Sequence, residues 1–454
     1  MSRKVDASPP PKAHIEALSK IGYNFNTAIA DIIDNSISAK SKNIQIEFYQ
    51  VDEVAIFFIA DDGVGMTEPE LITNMSIGCK DPADERDSGD LGRFGAGLKT
   101  ASFSQASVLS VISKTKSSPV AAAVWDKAVV AKSGWMLEVL ETPEIQKIIP
   151  ISCNNFEEGT IVRWDNIWAI QELLHSPDKQ LQIDELCAKL HSYIGLYFHR
   201  FLSKPHSMTI KINNRPVVAI DPFMKSIKGS EELASTSLRG GKYGKDRLVI
   251  TAYRLPFFTN MTQSQLDLYG GEASIRQNQG LYVYREERLI VAGEWMGLQK
   301  NLNLAGLARI QVDIPASLDN EWSTDVKKSS LQIPQKVKAQ IRRLLSKPVA
   351  ASRGAYIYRG KQEVENHFWL INHDERNDRV TYQIDPQNSK LRTVMEQLGS
   401  SGKRQLALYL LSLAEAIPVN HIYAAMGNSL KSISQNNLND EENIMDLIAS
   451  LNDE

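Results

Sequence analysis

The sequence predicts an α+β protein built from more than one domain. Three observations carry that prediction. Helical and strand patterns alternate from residue 1 to about Asp178, a second mixed block runs from about Lys179 to Val349, and a mainly helical pattern follows, clearest in RQLALYLLSLAEAI. At 454 residues the chain is also too long for one ordinary core, since domains of ~100 to 200 residues are usual. The expected domains are 1–178, 179–350 and 351–454, the last ending in an acidic tail.

The elements justify this division in order. Ile29, Ile32, Ile33 and Ile37 recur at helical spacing between Thr27 and Ser38, whereas Ile44–Phe48 and Val54–Ala60 are short runs of strand-forming residues. From Thr67 to Phe94 the chain is rich in Gly, Asp and Ser, carries Pro82 and loses apolar periodicity after Ile77. A loop of that length inside a domain is expected to be functional or mobile. HSPDKQ separates the first block from the second, in which GLYVYREERLIVAG has a strand pattern. Beyond SRGAYIYRG the pattern changes again, and from Ser389 to about Leu430 it is helical. No internal repeat is visible.

Composition narrows the function classes. An apolar content of 43% suits a soluble globular protein, and neither a signal-peptide core nor a run of ~18 uncharged apolar residues occurs, so a cytoplasmic protein without membrane contact is expected. Cys79, Cys153 and Cys187 are scattered and lack CxxC spacing, which indicates neither a disulfide framework nor a zinc site. His367, His373 and His421 likewise lack metal-site spacing. A net charge of −3 confines any nucleic-acid contact to a local surface.

Four short segments have chemical content. In ADIIDNS, Asp31 and Asn35 are four residues apart and share a helix face, with Asp34 beside them; a carboxylate and an amide oxygen so placed suit a magnesium ion that bridges phosphates. In IADDGVGM a strand runs into Asp61, whose carboxylate can accept from an exocyclic amine, while Gly63 and Gly65 let the backbone approach a flat ligand. In DLGRFGAGLKTASFSQ, Gly92, Gly95 and Gly97 precede a helix starting near Leu98, an arrangement that binds anions, and Lys99 adds positive charge. This segment fits neither a Walker A loop nor the dinucleotide fingerprint. In EEGTIVRW, Thr160 opens a strand. Taken singly, each also reads as an ordinary solvated helix face, turn or strand start.

In this order and at these distances the four segments resemble the motifs of the gyrase B, heat-shock chaperone, histidine kinase and MutL (GHKL) ATPase superfamily, over about Lys12 to Asp165. The resemblance implies a two-layer α/β sandwich, the Bergerat fold, with ATP and magnesium as cofactors. It implies that Asn35 ligands magnesium, that Asp61 contacts the adenine amine with support from Thr160, and that Gly63, Gly65 and Met66 line the base pocket. The Thr67–Phe94 segment corresponds to the ATP lid, with Gly92, Gly95, Gly97 and Lys99 toward the phosphates. One position departs from the family. The water-activating residue four before the asparagine is usually glutamate and here is Asp31, whose side chain is shorter by one methylene, so slow hydrolysis is expected.

The second block adds QGLYVYREERLIVAGEW, which resembles the transducer strand pair of MORC-type ATPases, with Tyr282, Tyr284, Arg285 and Arg288 as its marked residues. A plain hairpin accounts for the same pattern. Lys327 and Lys328 lie in a polar loop, and transducers of this superfamily supply a lysine from such a loop to the γ-phosphate; Lys327 is preferred and Lys328 remains open. The resemblance implies an ATP-gated homodimeric switch or clamp of MORC or MutL kind, in DNA-related processing or phage defence, with DNA and a methyltransferase, helicase or nuclease as partners. The alternatives are a heat-shock-type chaperone and a histidine-kinase-like phosphotransfer protein. About two dozen residues precede the first motif, so a phosphoacceptor hairpin is not expected there.

Overall fold

The computed structural model describes residues 9–20, 22–51, 54–77, 97–153, 157–171, 177–203, 208–240, 246–298, 305–318, 333–358, 368–374 and 379–419. In chain order the first block contains α1 (Pro11–Ser19), α2 (Phe25–Ser38), β1 (Asn43–Val51), β2 (Val54–Asp61), α3 (Glu68–Met75), α4 (Gly97–Gln105), β3 (Ala106–Lys114), β4 (Ala121–Asp126), α5 (Lys127–Ser133), β5 (Glu138–Val139), α6 (Thr142–Ile148), β6 (Gly159–Ile167) and α7 (Trp168–Gln171). There follow α8 (Lys179–Tyr197), α9 (His199–Ser203), β7 (Thr209–Ile212), β8 (Arg215–Pro216), β9 (Glu231–Gly240), β10 (Asp246–Arg254), α10 (Gln263–Leu268), α11 (Gly271–Gln277), β11 (Gly280–Arg285), β12 (Arg288–Glu294) and β13 (Ala308–Ile314). The last described elements are α12 (Gln335–Tyr358), β14 (Trp369–Asp374), β15 (Arg379–Ile384), α13 (Ser389–Gln397) and α14 (Ser400–Glu415).

These elements fall into two compact units. One comprises Met1–Pro256, Gly280–Met296 and Arg309–Leu345, the other Phe257–Gln279, Gly297–Ala308 and Ser346–Glu454. The first holds an eight-stranded sheet in the order β5-β4-β3-β6-β2-β1-β7-β8 and a five-stranded sheet in the order β12-β11-β13-β10-β9. On the larger sheet Ile44, Ile46, Phe57, Ile59 and Trp164 pack in one core with Ile29, Ile32 and Ile33 of α2 and with Ala101 and Phe103 of α4. Phe58, Ile112 and Ile161 face the other way, toward Ile145 of α6. Both faces of β2 are therefore covered, which explains a run as uniformly apolar as VAIFFIA in an antiparallel ladder.

The larger sheet crosses the expected boundary at 178. After α8 and α9 the chain returns, and β7 pairs in parallel with β1, aligning Thr209–Ile212 with Asn43–Ile46. Arg288 of the smaller sheet also reaches back to α2, where its Nε lies 2.9 Å from Asp34 Oδ1 with both side chains buried. The YREER segment forms the β11–β12 hairpin, turning at Glu286 and Glu287, which both have positive φ. Tyr282 and Tyr284 belong to the core of that sheet with Phe223, Tyr253 and Leu289, and Tyr284 hydroxyl lies 2.8 Å from His199 Nε2.

One expectation about these elements needs correction. The Thr67–Phe94 segment does not begin as a loop, because Glu68–Met75 is a helix; Thr67 and Glu70 form its capping box, with the Thr67 N–H and hydroxyl both donating to Glu70 Oε2 at 2.8 and 2.7 Å. Leu71 and Met75 anchor it in the core. The mainly helical region after 350 also carries an antiparallel hairpin, β14 paired with β15, before α13 and α14. Helix α12 itself runs across position 350. Among the described residues no helix is long and apolar enough to cross a membrane.

Candidate functional site

Helix α2 opens on a reciprocal cap. Asn24 Oδ1 accepts from Thr27 N at 2.9 Å, and Thr27 Oγ1 accepts from Asn24 N at 3.1 Å. Its isoleucines fix the rotation of the helix by facing the sheet, so the polar residues of ADIIDNS emerge elsewhere: Asp31 is half-buried, Asn35 exposed and Asp34 fully buried. Asp31 and Asn35 thus share a face as their spacing requires, while Asp34 leaves it to pair with Arg288. Tyr23, just ahead of the helix, donates its hydroxyl to Asp31 Oδ2 at 2.6 Å. Burial first, and then the Asp31 charge, raise the Tyr23 phenol well above its usual range, so it stays protonated as a donor.

Asp61 ends β2, in register with Thr160 of β6 on one side and Ile44 of β1 on the other. Its carboxylate is buried and accepts from Ser36 Oγ at 2.7 Å and from Gly63 N at 2.9 Å. Burial pushes this carboxyl above the usual aspartate range, and the bonds from Ser36, Gly63 and the Thr160 backbone oppose that rise. Ser36 thereby joins α2 to the end of β2, a link between two motifs that their spacing does not reveal. Asp62 is different. It accepts from Lys42 N, Asn43 N and Asn43 Nδ2 at 2.7, 2.8 and 2.6 Å and so fastens the start of β1.

The glycines are set by close backbone approach. Gly65 has φ +65°, and a Cβ there would fall 2.0 Å from the Lys114 carbonyl oxygen; Gly159 has φ +125°, with a Cβ at 1.9 Å from the Asp61 oxygen. Met66, half-buried against the core, donates its N–H to Ser113 Oγ at 2.9 Å. Thr160 Oγ1 lies 2.8 Å from the same serine hydroxyl. Ser113 is therefore the hub of this corner. Sequence reasoning missed it because a serine within the strand ASVLSVISK carries no signal without the register that sets it opposite Thr160.

Gly97 is the first residue of α4, and a Cβ on it would approach Asp31 Oδ2 to 3.5 Å. The helix N-terminus and the α2 carboxylate are thus neighbours. Lys99, expected near the phosphates, is instead buried, and its ammonium donates to the carbonyls of Asn74 and Ser76 at 2.7 and 2.9 Å, at the end of α3. A cation there complements the C-terminal carbonyls of a helix. Gly92, Gly95, Lys327 and Lys328 lie outside the described residues.

Among the described residues no group of three or more His, Cys, Asp or Glu side chains could hold a metal ion by itself. The residues present fit a magnesium ion of another kind, one held by a single exposed amide oxygen, that of Asn35, and by ligand phosphates and water.

Comparison with known proteins agrees with this geometry. Residues 23–160 match the family model described as histidine kinase-, DNA gyrase B-, and HSP90-like ATPase. The chain is also similar to ATPase morc-1 of Caenorhabditis elegans, with 28% identity over 88 residues that cover 19% of this chain and 10% of that protein. The match thus spans about a tenth of the relative's length. With Tyr23 at the start of the matched segment, Thr160 at its end, and α2, β2 and α4 joined between them, residues 23–160 form a GHKL-type ATPase domain, and the chain has MORC-like similarity.

Proposed function

We propose that this protein binds magnesium ATP in its first unit and hydrolyses it slowly, using closure over the nucleotide to bring two copies together as a MORC-like switch. One observation carries the reading: the Ser36–Asp61 hydrogen bond joins the helix bearing Asp31 and Asn35 to the strand end that faces Thr160, with the α4 N-terminus beside Asp31. A base pocket and a phosphate end are then held on one scaffold.

In this reading Asp61 accepts from the adenine amine, the Gly63–Met66 turn lies along the base, and Gly97 with the α4 N-terminus meets the phosphates. Magnesium, when bound through Asn35, neutralises phosphate charge. Asp31 takes the proton of the attacking water, and Tyr23 fixes the orientation of its carboxylate by donating to Oδ2, the oxygen beside Gly97. A protonated phenol at that position also withholds one lone pair from the base, which suits slow turnover. Lys99 serves indirectly, by tying the end of α3 to α4. Gly92, Gly95 and Lys327 or Lys328 complete the phosphate contacts. The cellular setting that fits a MORC-like ATPase is DNA-related processing or antiviral defence, with a DNA-processing partner.

Calorimetry with magnesium ATP tests the site. Asn35→Ala is expected to weaken magnesium-dependent binding by at least about tenfold, because the metal loses its direct protein oxygen. Equal affinity in the variant and the unaltered chain, or no release of phosphate from ATP by the unaltered chain, counts against the reading.

A further inference from the structure

We propose that Ser113 decides which purine the pocket accepts, by fixing the direction in which the Thr160 hydroxyl points; this rests on the nucleotide reading above. Ser113 lies on β3 opposite Thr160 of β6 and is completely buried, so it acts on a ligand only through its neighbours. Three polar groups surround its hydroxyl. Met66 N donates to it at 2.9 Å, the Gly159 carbonyl lies at 3.0 Å and Thr160 Oγ1 at 2.8 Å.

A hydroxyl has one proton and two lone pairs. The peptide N–H of Met66 can only donate and the Gly159 carbonyl can only accept. The Ser113 proton therefore goes to Gly159, one lone pair takes the Met66 N–H, and the other takes the Thr160 proton. All three contacts are then hydrogen bonds. The reverse orientation, with Ser113 donating to Thr160, leaves the Gly159 oxygen facing a serine lone pair at 3.0 Å in a buried corner.

The consequence is chemical. Thr160's only side-chain proton is directed inward, so its oxygen offers lone pairs alone. Asp61, its partner across the β2–β6 ladder, is a carboxylate that already receives Ser36 and Gly63 and is likewise an acceptor. The polar edge formed by these two residues consists of acceptors. It matches a purine with an exocyclic amine and disfavours one with a keto oxygen at that place. A threonine free to rotate would donate to the keto oxygen and blunt the discrimination. Ser113 is thus a positioning residue for specificity.

The test measures binding of magnesium ATP and magnesium inosine triphosphate, its keto counterpart, to the full chain by calorimetry. The unaltered chain is expected to favour ATP. In Ser113→Ala the Thr160 proton is released, and the ratio of ATP to inosine triphosphate affinity is expected to fall about fivefold to tenfold, the range of one hydrogen bond. If the alanine variant does not fold, Ser113→Cys supplies the same reading, because a thiol is a weak donor and a weak acceptor. An unchanged ratio in a variant that still binds ATP overturns this proposal and leaves the nucleotide reading standing. Failure of the unaltered chain to bind either nucleotide overturns both.

Discussion

Asp31 is held by a phenol rather than left to solvent, and that contact is open to experiment. Tyr23→Phe removes the 2.6 Å bond while keeping the ring, so the carboxylate loses a fixed orientation and a competitor for its lone pair. The expected result is a change in phosphate-release rate of about tenfold in either direction with ATP affinity within about twofold, since general-base geometry is strict and binding uses other groups. Asp31→Asn keeps the shape without the base and is expected to bind ATP and stop turnover. Equal rates in Asp31→Asn and the parent would assign the proton to another group. Of these two residues only Asp31 was legible in the sequence. Tyr23 was not, because its contact depends on how the chain enters α2, eight residues away and outside any helical repeat.

At the scale of elements, the turn after β2 depends on a glycine that nothing can replace. A side chain at Gly65 meets the Lys114 carbonyl at 2.0 Å and sits at positive φ, so Gly65→Ala is expected to cost about 2 kcal/mol or more and to broaden or abolish the thermal transition. A melting temperature within a degree or two of the parent would mean that the turn relaxes freely. Helix α2, strands β1 and β2 and the start of α4 were readable from periodicity and glycine placement, because local pattern and burial agree there. Helix α3 escaped because its eight residues give too short a window for periodicity, although its Thr67–Glu70 cap was visible in the sequence. The fate of Lys99 was unreadable for a different reason. A lysine behind a glycine-rich segment suggests a phosphate ligand, and only the packing of α3 shows that helix carbonyls receive it.

For the whole molecule, the proposed switch makes a demand on the nucleotide. A ligand shifts an equilibrium only by its differential affinity for the two states, so contacts to the terminal phosphate must exist mainly in the paired form. Light scattering at micromolar protein is expected to show a doubled mass with a non-hydrolysable ATP analogue and the monomer mass with ADP. Exchange of Lys327 or Lys328 for alanine is expected to weaken that response while sparing adenine binding at Asp61. The same mass in all nucleotide states would replace the clamp by a constitutive assembly or a monomeric ATPase.

The parallel pairing of β7 with β1 bears on how much chain an independent ATPase requires. The family match ends at residue 160, which invites an expression fragment stopping near Asp178. Such a fragment would uncover the Asn43–Ile46 part of the β1 edge, where the Lys42 and Ile46 carbonyls accept from Thr209 N and Asn213 N, and would present it as a template for intermolecular strand addition. It would also discard Arg288 and strand the buried Asp34 charge, a loss of about 3–5 kcal/mol. The shortened protein is therefore expected to aggregate, whereas one carried through β13 should stay monodisperse in size-exclusion chromatography. The heritable module is larger than the stretch its motifs mark out: the proposed nucleotide site and the strand that covers the edge of its sheet are separate parts of one compact unit.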